Sequence, residues 1–160
     1  MRDRIGQLFP VYSRYVDIFQ DIPQGTGLSL GHLHSVHDPQ NASIAKVRTK
    51  IGTGITLSNE GATVWLYNRS MADIFVSSFS LNDAERSQQW RVYKVRPGFA
   101  IPVYDQAVID RKSLQQTAGD GPADPHSIHV SFVKGWGRGY TRQSIMSCAC
   151  WLELILHTDR

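Results

Sequence analysis

Seven short runs rich in β-branched and aromatic residues, each followed by turn-forming residues, constrain this chain more than any other feature. They occupy 51–57, 62–67, 74–79, 90–95, 99–104, 128–133 and 151–156. Ser58-Asn-Glu-Gly61, Tyr67-Asn-Arg-Ser70 and Arg96-Pro-Gly98 punctuate them. Short strands at this spacing, broken by turns, are the pattern of an antiparallel β-sandwich. Helical signals are fewer. The segment 41–50 reads as a short helix capped near Asn41, and 105–114 as a second. TAGDGPAD, 117–124, reads as a flexible loop. The 160 residues carry no internal repeat and no linker, so one domain spanning 1–160 is expected.

Several function classes are excluded by what the chain lacks. No apolar run approaches the ~20 residues of a membrane helix. Arg2, Asp3, Arg4, Arg14 and Asp17 break up any signal-peptide core. Cys148 and Cys150 are one residue apart, a spacing that strains a disulfide, and read as free structural thiols in a reducing compartment. His32, His34 and His37 form H-x-H-x-x-H, which matches no common zinc spacing and reads as polar loop residues. No constellation of nucleophile, base and acid emerges. The expectation is a non-enzyme with no catalytic residue, no metal and no cofactor.

The remaining signal is SFVKGWGRGYTRQ, 131–143. Trp136 sits among Gly135, Gly137 and Gly139, followed by Tyr140, with Lys134, Arg138 and Arg142 threaded through and no acid in the run. The dinucleotide fingerprint G-x-G-x-x-G fails, because residue 140 is tyrosine and a β-rich chain offers no βαβ unit. A second basic set, Lys46, Arg48 and Lys50, lies toward the end of the first helix. Each set reads either as a solvated charged face or as an anion groove. Lys and Arg make charge-assisted bonds to phosphate oxygens, and glycine-loop amides add to them. Single-stranded nucleic acid fits less well, since only one loop aromatic accompanies the charge.

This loop, with its flanks, resembles the C-terminal Mad-homology domain (Mad homology 2) of the Smad signalling proteins. The resemblance runs through most of the chain: Arg4-Ile-Gly6, DIFQDIPQG at 17–25, LSLG at 28–31, KIGTGI at 50–55, VWLYNR at 64–69, IFV at 74–76, KVRPGF at 94–99 and CACWLE at 148–153 fall in family order. DIFQDIPQGTG, VWLYNRS and the short loop DGPADPHS resemble the inhibitory branch. The sequence also ends at Leu156-His-Thr-Asp-Arg160, without the Ser-x-Ser tail that a receptor phosphorylates.

The resemblance implies a β-sandwich of the Smad/forkhead-associated type with a loop-helix cap and a reduced helical bundle, its first family strand missing ahead of Met1. It implies a cytoplasmic and nuclear adaptor. The partners implied are the phosphorylated type I receptor kinase of the transforming-growth-factor-β and bone-morphogenetic-protein class, other Smads and, for some members, a ubiquitin ligase or a corepressor. Neither direct nucleic-acid binding nor membrane insertion is implied. Carried onto this chain, the receptor groove would be Lys46, Lys50, Lys134 and Arg142, with Arg48 and Arg138 beside them. Gly135, Trp136, Gly137, Gly139 and Tyr140 would form the specificity loop, with Trp136 either packing its base or meeting the partner.

Overall fold

The β-branched runs fold into two sheets that close on one core. The computed structural model describes residues 6–21, 27–34, 42–82, 91–115 and 124–157. One sheet has the order β2 (Leu28–Ser29), β1 (Tyr15–Phe19), β3 (Ile55–Asn59), β4 (Thr63–Asn68), β7 (Ala100–Asp105). The other has the order β6 (Tyr93–Val95), β5 (Ile74–Ser78), β8 (Ser127–Phe132), β9 (Trp151–Ile155). All neighbours are antiparallel except β1 and β2.

The period of two in strand side chains explains the layering. On β4, Val64, Leu66 and Asn68 are buried while Trp65 and Tyr67 face out. Ile18, Ile55, Leu57, Val64, Leu66 and Val103 of the first sheet meet Ile74, Val76, Val95, Ile128, Val130 and Phe132 of the second in one cluster. The strand β5 is buried along its whole length, as its place between β6 and β8 requires. The expected sandwich is what forms.

Among the described residues three α-helices close the frame: α1 (Leu30–His34), α2 (Ala42–Ile51) and α3 (Gln106–Gln115). Val47 and Ile51, one turn apart on α2, are its buried stripe. The Lys112 ammonium on α3 donates to the carbonyls of Phe79 (2.8 Å) and Asn82, tying that helix to the turn after β5.

Three expectations need correcting. The run 51–57 is not one strand: α2 continues through Ile51, and β3 begins only at Ile55. Gly52 (φ 49°) and Gly54 (φ 67°) between them adopt left-handed conformations that end a helix and that a strand does not use. The run 90–95 forms a strand only from Tyr93. The turn read at 67–70 starts later, because Asn68 is the last residue of β4 and is fully buried. Its amide donates to the carbonyls of Ala72 (2.8 Å) and Val95 (2.9 Å), while its side-chain oxygen accepts from the Ser70 N–H and hydroxyl. Arg4, Asn41, the 22–25 part of the DIFQDIPQG match, His37, Trp90, 117–123 and the last three residues lie outside the described residues.

Candidate functional site

The glycine loop grows from the end of β8 and is anchored at both margins. The Phe132 N–H donates to the Cys150 carbonyl (3.0 Å), and the Val133 N–H to the Asp73 carbonyl (3.0 Å). Further out, the Gly137 N–H donates to the Arg142 carbonyl (2.7 Å) and the Tyr140 N–H to the Gly137 carbonyl (3.0 Å). Gly137 (φ 85°) and Gly139 (φ 88°) turn in the left-handed region, so glycine suits these positions for conformational reasons.

Trp136 faces inward in the folded domain. It is 8% exposed and packs in a satellite core with Phe75 and Cys148, edged by half-buried Val92, Tyr140, Ile145 and Trp151. Tyr140 meets the Phe75 ring edge-on, with centroids 5.6 Å apart and an interplanar angle of 81°. Gly135 is the gap that admits this contact: a Cβ there would stand 2.5 Å from the Tyr140 ring and 2.9 Å from Phe75. The alternative left open by the sequence therefore resolves toward packing. Trp136 and Tyr140 hold the loop down.

Lys134 and Arg142 are half-buried and Arg138 is exposed. On α2, Lys46 and Lys50 are exposed and Arg48 is half-buried. At about 100° per residue, Lys46 and Lys50 share one flank of the Val47–Ile51 stripe, and Arg48 lies on the other. The three helical cations are thus not a single face. Arg48 and Lys50 also occupy the last turn, where a cation complements the helix dipole. Among the described residues no acid lies within ion-pairing distance of Lys46, Lys50, Lys134, Arg138 or Arg142. Arg69 and Lys94, by contrast, pair with Asp17 (3.2 Å) and Asp73 (3.6 Å).

The two basic segments share one end of the sandwich. The connection between β4 and β5 bridges them: the Arg69 N–H donates to the Gly54 carbonyl just past α2 (2.9 Å), and the Asp73 carbonyl accepts from Val133. Phe75 and Lys94 were not singled out by the sequence. They face each other across the β5–β6 ladder, with the Lys94 ammonium 5.9 Å from the Phe75 ring. Only the β5–β8 register, which sets Phe75 opposite Ser131, reveals that a residue of one run supports a loop from another.

Both cysteines are free and buried, as expected. Cys148 joins the satellite core and Cys150 the main one. Burial pushes the Cys150 thiol up to about 11, against a smaller opposing pull from the Arg48 charge. Folding therefore favours the protonated thiol. That contribution is complete below pH 9, the ordinary value, and is lost as pH rises toward about 11. Thermal melts from pH 8 to 11 are expected to show an alkaline loss that is roughly 2–3 kcal/mol smaller in Cys150→Ala than in the parent. Among the described residues no His, Cys, Asp and Glu group has metal-binding geometry. His32 bonds Ser29 at 3.2 Å.

A family model described as the MH2 domain matches residues 1–157. The chain belongs to the MH2 domain family. Mothers against decapentaplegic homolog 6 of Gallus gallus is 46% identical over 161 residues, covering 99% of this chain and 37% of that protein. Homolog 7 of Homo sapiens is 43% identical over 164 residues, covering 98% and 37%. Homolog 4 of Rattus norvegicus is 30% identical over 199 residues, covering 96% and 36%. Higher identity to homologs 6 and 7 bears out the recognition of an inhibitory Smad MH2 domain. The chain spans little more than a third of the length of these relatives.

The crystal structure of the interferon regulatory factor 9 IAD domain superposes with a TM-score of 0.52 at 11% identity, covering 82% of this MH2 domain and 66% of that chain. That likeness speaks for the fold alone. An MH2 domain is a protein-interaction domain, so the expectation of a non-enzyme holds. No helix among the described residues is long and apolar enough to cross a membrane.

Proposed function

We propose that this MH2 domain acts as an inhibitory adaptor, occupying activated type I receptor kinases of the transforming-growth-factor-β and bone-morphogenetic-protein class and so blocking receptor-regulated Smads. The observation that carries the reading is a cluster of cations without acidic partners among the described residues, held on a loop whose aromatic residues are locked inward. Such a surface suits a phosphorylated, acidic protein segment. Lys134 and Arg142 leave the loop base half-buried, where a phosphate contact is partly desolvated, and Lys46 and Lys50 extend the positive field from the same end. Other Smads are partners of the same chemistry. The compartments this reading implies are the cytoplasm, where receptor kinase domains reside, and the nucleus.

Calorimetric titration with a type I receptor cytoplasmic region, phosphorylated and unphosphorylated, tests this. Phosphorylation is expected to tighten binding. A charge-assisted contact contributes about 1.5–3 kcal/mol when desolvated and less when solvated. The Lys134→Ala/Arg142→Ala double variant is therefore expected to lose at least about tenfold in affinity, and the parent's binding to weaken with salt. Equal binding of both receptor forms, or full binding by the double variant, would refute receptor occupancy through this loop. It would favour a nuclear corepressor or Smad-binding role on another surface.

A further inference from the structure

Val133 is the one non-glycine residue with positive φ among the described residues, at 69°. Its neighbours close on each other across it: the Lys134 N–H donates to the Phe132 carbonyl at 2.8 Å. A three-residue turn of this hand is rare and strained, and a β-branched side chain adopts it least readily of all. The surroundings enforce it from every side. The Val133 N–H is held by Asp73 and the Phe132 N–H by Cys150. The Lys134 carbonyl accepts from the Ser131 hydroxyl at 2.6 Å and stands 3.6 Å from the Cys148 sulfur. The Val133 side chain packs against the main core.

Strain kept in place by so many contacts, immediately before the first cation of the loop, has a local consequence. An unconstrained residue 133 would let β8 run on straight and carry Lys134 away. We propose that Val133 is a positioning residue: its enforced left-handed turn fixes the direction in which Lys134 and the glycine loop leave the sheet, at the expense of fold stability. The role in binding rests on the receptor reading above. The positioning itself does not, and can be read in the free protein.

The test compares Val133→Gly with Val133→Ala. Both remove the packed side chain, but only glycine relieves the strain. Alanine normally stabilises relative to glycine. Here the order is expected to reverse, with the glycine variant melting about 2–4 °C above the alanine variant. In the same pair, amide hydrogen exchange at Lys134, whose N–H closes the turn, is expected to be several-fold faster in the alanine variant, because the strain it keeps favours local opening. Binding to the phosphorylated receptor region, measured below both melting transitions, is expected to be several-fold weaker in the alanine variant than in the glycine variant. A merely structural valine would change the melting temperature and leave the affinity of the folded domain alone. The proposal is overturned if alanine melts higher, if Lys134 exchanges alike in the two variants, or if the two variants of a binding-competent parent bind alike. If the parent itself does not bind the phosphorylated receptor while the melting order and exchange behave as expected, the positioning stands and the receptor reading falls.

Discussion

Gly54→Ala is expected to destabilise the domain by more than any other single change considered. A Cβ at this position would stand 1.7 Å from the Ile18 carbonyl oxygen and 2.8 Å from its carbon, both backbone atoms that cannot step aside. The φ of 67° adds conformational strain. Strain of roughly 1–3 kcal/mol and overpacking of about 1–3 kcal/mol sum to about 2–6 kcal/mol, a large part of a domain's usual margin. Gly54 also joins α2 to β3 and accepts the Arg69 N–H, so the damage reaches the basic helix. Gly61→Ala is the control. Its φ of 77° is similar, but nothing lies within 4 Å, so strain alone should appear. Urea unfolding midpoints of the two variants would separate the terms. A Gly54→Ala midpoint no lower than that of Gly61→Ala would show that β1 and β3 are not packed this closely.

Trp136→Ala is expected to follow closely, at about 3–5 kcal/mol for a buried aromatic. It empties the satellite core around Phe75 and Cys148, against which Tyr140 packs. The proposed binding to the phosphorylated receptor region should disappear with it, because Lys134 and Arg142 lose their support. Trp136→Phe retains an apolar filling and should recover most of the stability and part of the binding. A Trp136→Ala domain that melts like the parent but fails to bind would instead place the indole in the interface. Thermal melts alongside titration therefore distinguish support from contact.

The sequence disclosed the runs that became β4, β5, β7, β8 and β9, because continuous β-branched and aromatic segments have few other uses in a chain this size. It also disclosed α2 and α3. It did not disclose β1, whose YVDIF carries an outward Asp17, or β2, two residues long and paired in parallel. Alternating apolar and small residues make the KIGTGI stretch look like strand from Ile51. Its helical end was nevertheless signalled: basic residues in the last turn followed by glycine are a helix stop. For the candidate site, the cations and the glycine loop stand out as a string of letters. Their support does not. Phe75 lies in a run indistinguishable from the others until β5 pairs with β8, and the left-handed Val133 leaves no compositional trace.

That pairing has a consequence for how the domain comes into being. Phe75 and Ser131 are partners 56 positions apart in the chain, and Asp73 and Val133 close the same seam. Contacts this distant must meet the entropy of closing a long loop. The aromatic floor beneath the glycine loop therefore forms only once the chain has been made through β8 and Trp136. Until β5 and β8 have met, the cations hang on an unshaped segment. A half-made molecule lacks that floor, and the shaped loop arrives only with the finished sandwich.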